Sequence, residues 1–129
     1  MSSATQATAV RILAVDDHPV VRAALRDLIV ATPHFVLVGL ASSGEEALRD
    51  LARLSPQLVV MDVIMPGIGG IEAARIMVST DPEVAILLIS VEDPSAYLDE
   101  CDRCDRIACL RKQALSTDEL SLVWSALSN

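Results

Sequence analysis

Five short apolar runs set the terms for this chain: Val10–Val15 (VRILAV), 36–41 (VLVGLA), 57–61 (QLVVM), 84–90 (VAILLIS) and 106–110 (RIACL). Several are apolar at consecutive positions. A strand with one wet face alternates apolar and polar residues, because successive side chains point to opposite sides. Consecutive apolar residues therefore predict strands buried on both faces, as in a parallel sheet covered by helices. Helical periods fill the gaps. Val21, Leu25, Leu28 and Ile29 make one stripe, and Ala47, Leu48, Leu51 and Leu54 a second. Ile71, Ala74 and Val78 make a third, and Leu120, Val123, Trp124 and Leu127 the last. Strand and helix alternate five times, which predicts a doubly wound α/β domain with a five-stranded parallel sheet.

Helix starts are marked by chemistry. Ser43 with Glu46, and Ser116 with Glu119, fit the capping box, in which each side chain bonds the other residue's backbone amide. Asp93–Pro94 offers an N-cap followed by an N1 proline for a further helix. The chain has 129 residues, enough for one domain, expected over 10–129. The Ser/Ala/Thr-rich residues 1–9 read as a disordered lead-in. Hydrophobic residues make up 52% but aromatics only 2%, so the core must be aliphatic. A net charge of −8 argues against direct nucleic-acid binding, which needs a basic face. The N-terminus lacks the charged and apolar regions of a signal peptide, and no run approaches membrane-spanning length. A cytoplasmic protein with reduced cysteines is expected.

Asp62 stands out, because it follows the buried run 57–61 and an unpaired ionised carboxylate is costly to desolvate. In doubly wound sheets, ligands bind beyond the carboxyl ends of the strands. That edge collects Asp16 and Asp17 after the first strand, Asp62 after the third, Ser90 at the end of the fourth and Lys112 after the fifth. Two like charges about 5 Å apart repel by roughly 3 kcal/mol at an effective dielectric of about 20. Three carboxylates with one lysine therefore call for a cation. Oxygen donors with no nearby His–Cys set favour Mg²⁺ over zinc. A sharp turn at Pro66–Gly67 would let a backbone carbonyl after Asp62 join the ligands.

The segments "VDDHPVVRAALRDLI" and "MDVIMPGIGGIEA" resemble the receiver domains of two-component response regulators, most of all those of the class carrying a helix-turn-helix DNA-binding output domain. The likeness runs from Val10 to Leu127. It implies a flavodoxin-like fold with strand order 2-1-3-4-5. It also implies that Asp62 is the phosphoacceptor, that Asp16 and Asp17 hold Mg²⁺ together with Asp62 and the Ile64 carbonyl, and that Ser90 and Lys112 contact the phosphoryl group. The implied phosphodonor is a sensor histidine kinase or a phosphotransfer protein. The chain would not be an enzyme beyond catalysing its own phosphorylation and slow dephosphorylation. The apolar Ile64 offers an attacking water no hydrogen bond, and a dephosphorylation half-time under a few seconds would contradict slow hydrolysis. The chain is expected to be a stand-alone receiver or, as this class favours, the first domain of a longer regulator.

Blander readings exist for each residue. Asp17 could cap the first helix, Ser90 could be a strand-end hydroxyl, and Lys112 a surface lysine. His18 could be read as a catalytic or metal-binding histidine, but its usual place in this family is that of a loop residue. Cys101-x-x-Cys104 with Cys109 could suggest zinc, but no fourth ligand is apparent and small buried hydrophobes are the simpler reading. Receivers usually carry an aromatic residue three positions before the lysine, where this chain has Cys109. The turn before the fifth strand reads Asp105–Arg106 in place of small residues. Output is therefore expected through the first and fifth helices, which would also form a homodimer. A flavodoxin-like cofactor binder would need a small-residue phosphate loop where this chain has Asp–Asp–His–Pro. A phosphatase would want a second acid where Ile64 stands. The alternative function is a receiver-like interaction module that signals without phosphorylation, against which the retained acidic cluster argues.

Overall fold

The computed structural model describes residues 9–93 and 105–128. Its elements are β1 (Val10–Val15), α1 (Pro19–Ala31), β2 (Phe35–Ala41), α2 (Gly44–Leu54), β3 (Leu58–Asp62), α3 (Gly70–Thr80), β4 (Ala85–Ser90), β5 (Ile107–Arg111), a 3₁₀ turn (Lys112–Ala114) and α4 (Thr117–Leu127). The helix expected from Asp93–Pro94 and the pair Cys101 and Cys104 lie outside the described residues, so the fifth predicted helix is α4 here.

All five strands run parallel in the order β2-β1-β3-β4-β5, the doubly wound arrangement expected from the sequence. Every residue of the central strands β3 and β4 is buried. Alternate side chains enter two cores. Leu13, Val59, Met61, Ile86 and Leu88 face Ala47 and Leu51 of α2 and Ala73, Ala74 and Met77 of α3. Ile12, Val60, Leu87 and Ile89 face Leu25 and Ile29 of α1 and Leu120 and Leu127 of α4. Consecutive apolar residues are thus used on both sides of the sheet. The third helical stripe is broader than Ile71, Ala74 and Val78, because Ala73 and Met77 are also buried.

Three strands, β3, β4 and β5, start one residue later than their apolar runs, because pairing and not hydropathy sets the ladder. Gln57 precedes β3, its carbonyl accepting from the Ala85 amide. Asp62 is instead the last residue of β3, in register with Ile89. Arg106 ties the start of β5 to the loop that leads into β4, its guanidinium donating to the Glu83 and Val84 carbonyls. Both predicted caps form in the forward direction: Ser43 Oγ accepts from Glu46 N at 3.1 Å, and Ser116 Oγ from Glu119 N at 3.0 Å. The return bond of the first box is displaced by one residue. Glu46 Oε1 accepts from the amide and hydroxyl of Ser42, which hold its carboxyl below the ordinary range.

Candidate phosphoacceptor and metal site

The carboxyl edge of the sheet gathers residues far apart in sequence. Asp16 follows β1 directly and is fully buried. Its Oδ1 accepts the His18 amide at 2.9 Å, and Arg22 fixes its carbonyl at 2.8 Å. Asp62 ends β3 with 4% exposure, and Ser90 ends β4 with 3%. Lys112, on the first residue after β5, reaches back across the edge. Its Nζ lies 3.2 Å from Asp16 Oδ2 and 3.4 Å from Asp62 Oδ2. The predicted Asp16, Asp62 and Lys112 are therefore in direct contact. Ser90 and Ile64 share a cleft of about 290 Å³ with Asp62, Lys112, His18, Val91 and Glu92.

Burial pushes the Asp62 carboxyl above its ordinary value of 3.8. The Lys112 ammonium opposes this shift, Asp16 adds to it, and the Ile64 amide opposes it more weakly. Asp17 does not cap α1. The cap residue is His18, without a side-chain cap bond. Asp17 Oδ1 is instead buried and has no hydrogen-bond partner among the described residues. Ligand atoms of Asp16, Asp17, His18 and Asp62 all lie within 4.8 Å of one another. One lysine facing three carboxylates, with an orphaned acceptor, fits a hard divalent cation coordinated by oxygen.

The loop after Asp62 is held in ways the sequence did not disclose. Val63 and Met65 are buried, which turns Ile64 out to 66% exposure at the rim of the cleft. Gly67 has φ +79°, as the expected sharp turn requires. Glu45 of α2 accepts the Ile68 amide at 3.2 Å. Gly70 brings α3 so close that a Cβ there would lie 2.2 Å from the Asp62 carbonyl oxygen. His18 is the other omission. Read as a loop residue, it sets Nδ1 3.4 Å from Asp16 Oδ1 and 3.3 Å from Asp17 Oδ1. Only its place next to the acid pair could have signalled this.

A doubly wound sheet with strand order 2-1-3-4-5 and an acidic, lysine-bridged cleft at its carboxyl edge defines the receiver class of α/β domain. The chain belongs to that family: the profile of the response regulator receiver domain matches residues 12–123. Its sequence is 41% identical over 87 residues to the response regulator GacA of Pseudomonas viridiflava, covering 66% of this chain and 41% of that protein. It is 36% identical over 90 residues to the transcriptional regulatory protein LiaR of Bacillus subtilis, covering 68% and 43%. Among solved structures, a LuxR-family two-component response regulator from Aurantimonas sp. SI85-9A1 superimposes with a TM-score of 0.81 at 34% identity, over 92% of this chain and 84% of that one. The chain thus spans less than half the length of these two curated relatives.

Proposed function

We propose that this receiver accepts a phosphoryl group on Asp62 from a phosphohistidine of a sensor kinase or phosphotransfer protein, and that the product controls a downstream output such as transcription. The observation that carries this reading is the buried Asp62 carboxylate bridged to Asp16 through Lys112. An Asp62 oxygen attacks phosphorus, the bond from phosphorus to the donor imidazole breaks, and that imidazole leaves as a neutral group after taking a proton. Mg²⁺, held by Asp16, Asp17, Asp62 and the Ile64 carbonyl, would supply positive charge to the phosphoryl oxygens. Lys112 exchanges its contact with Asp62 for the new phosphoryl oxygens. Ser90 Oγ accepts the Glu92 amide at 3.1 Å and keeps its own proton to donate to the phosphoryl group. That donation would draw the segment after β4 toward the site and bias the fold between two states. Trapping the acyl phosphate by borohydride reduction and mapping it by peptide mass spectrometry should place it on Asp62. A label on any other carboxylate would overturn the assignment.

Self-association through α1 and α4 has its own support. These helices pack side by side on one face, and Val20, Val30 and Leu122 are 82%, 65% and 63% exposed on them. Light scattering should detect a dimer of the phosphorylated protein that Leu122→Glu weakens. An unchanged dimer in that variant would move the interface elsewhere. No helix among the described residues is long and apolar enough to cross a membrane.

A further inference from the structure

We infer that His18 is a ligand at the acid pocket, so that the site binds first-row transition-metal ions such as Co²⁺ by a donor set that includes nitrogen, beyond the oxygen-only set that would hold Mg²⁺. This rests on the metal-site reading of the pocket given above.

The imidazole is positioned by the backbone around it. The His18 amide donates to Asp16 Oδ1 at 2.9 Å, which fastens the residue to one of the acids. Pro19 follows as the first residue of α1 and disfavours helical backbone at His18, which is extended at φ −94° and ψ 120°. The ring therefore leaves the chain at the mouth of the pocket. It could have served as a cap, yet it makes no cap hydrogen bond. Nδ1 instead points at two carboxylates, 3.4 Å from Asp16 Oδ1 and 3.3 Å from Asp17 Oδ1. Donors about 2.1 Å from a shared octahedral ion stand about 3 Å apart at right angles and about 4.2 Å across it, so these separations suit ligands of one ion. Asp17 Oδ1, the acceptor nearest the imidazole, is the buried oxygen without a hydrogen-bond partner. A cation between them would satisfy both atoms. Lys112 approaches Asp16 from its other oxygen, Oδ2, and leaves the His18 side open.

The consequence is selectivity. Mg²⁺ is hard and gains little from a neutral imidazole, whereas the affinity of nitrogen donors climbs from Mn²⁺ through Co²⁺ to Cu²⁺. With His18 in reach, the pocket should favour such ions over Mg²⁺ more strongly than three carboxylates and a carbonyl would.

The test titrates the metal-free protein with Mg²⁺ and with Co²⁺ by calorimetry, using the parent, His18→Gln and, as a control for the other histidine, His34→Gln. His18→Gln should weaken Co²⁺ binding about tenfold or more while changing Mg²⁺ binding less than about twofold. His34→Gln should change neither. In the Mn²⁺-loaded parent, electron spin-echo spectroscopy should show hyperfine coupling to a directly bound imidazole nitrogen, lost in His18→Gln. Equal Co²⁺ affinity in parent and His18→Gln, with no nitrogen coupling, would overturn the inference and leave the Mg²⁺ site standing. No binding of either ion to the parent would overturn both.

Discussion

At the scale of single residues, Asp62 carries a cost that the proposed phosphoacceptor role would explain. Its carboxyl is raised above the ordinary value of 3.8, chiefly by burial. The native protein therefore binds that proton more tightly than the unfolded chain does. As pH rises from the unfolded value through the raised native one, the metal-free protein loses stability, and the loss persists at neutral pH. Asp62→Asn should remove it. In chelator at pH 7 this variant should melt about 2–5 °C above the parent, with the difference vanishing under acid conditions where both side chains are neutral. A lower melting temperature at pH 7 would mean that the contact with Lys112 outweighs burial. That Asp16, Asp17 and Asp62 meet at one edge of the sheet was legible in the sequence, because a carboxylate ending a buried apolar run calls for a partner. The placement of His18 was not legible, since nothing in a histidine after two aspartates says which way its ring turns.

At the scale of elements, the placement of Asp62 depends on how closely α3 approaches the end of β3. Gly70 N donates to the Val63 carbonyl at 2.8 Å, and a Cβ on Gly70 would also lie 2.9 Å from Val63 Cα. These neighbours are backbone and cannot rotate away. Gly70→Ala should therefore destabilise the protein by about 2 kcal/mol or more and slow phosphorylation of Asp62 by shifting the strand end. Chemical denaturation and a phosphorylation time course measure the two effects. A variant as stable and as reactive as the parent would show that the helix start yields freely. Apolar runs located every strand, because both faces of the central strands are buried. β1 matched its run at both ends, but the starts of the other four strands were off by one residue, as were the ends of β3 and β5, because hydrogen-bond register, as at Asp62 opposite Ile89, leaves no mark on hydropathy. Glu45 shows the same limit, since its bond to Ile68 spans 23 residues and follows from no local pattern.

For the whole molecule, the site joins the ends of β1, β3 and β4 to the turn after β5, so whatever binds there is coupled to folding. An ion that binds only the native state at ten times its dissociation constant adds about 1.4 kcal/mol. Mg²⁺ should raise the melting temperature of the parent accordingly, and Asp17→Asn should reduce the gain, because it removes the negative charge of a carboxylate whose Oδ1 has no hydrogen-bond partner among the described residues. An undiminished gain in that variant would place the ion away from Asp17. The parallel, doubly wound class was readable from the alternation of strands and helices, since helical crossovers leave few alternatives, whereas the strand order 2-1-3-4-5 came from the family resemblance. Cys109 occupies the usual aromatic position on β5, half-buried against the α2–α3 core and in register with Leu88. The small thiol offers no ring to rotate, which supports the proposal that output runs through the opposite face of the sheet.

Transfer of a phosphoryl group to Asp62 would be read from the intact mass of the protein. The protein is incubated with Mg²⁺ and acetyl phosphate, beside an Asp62→Asn control. One phosphoryl group added to the parent and none to the control is the predicted result. No addition to the parent, or equal addition to both, would contradict the account and favour a receiver that signals through contact alone.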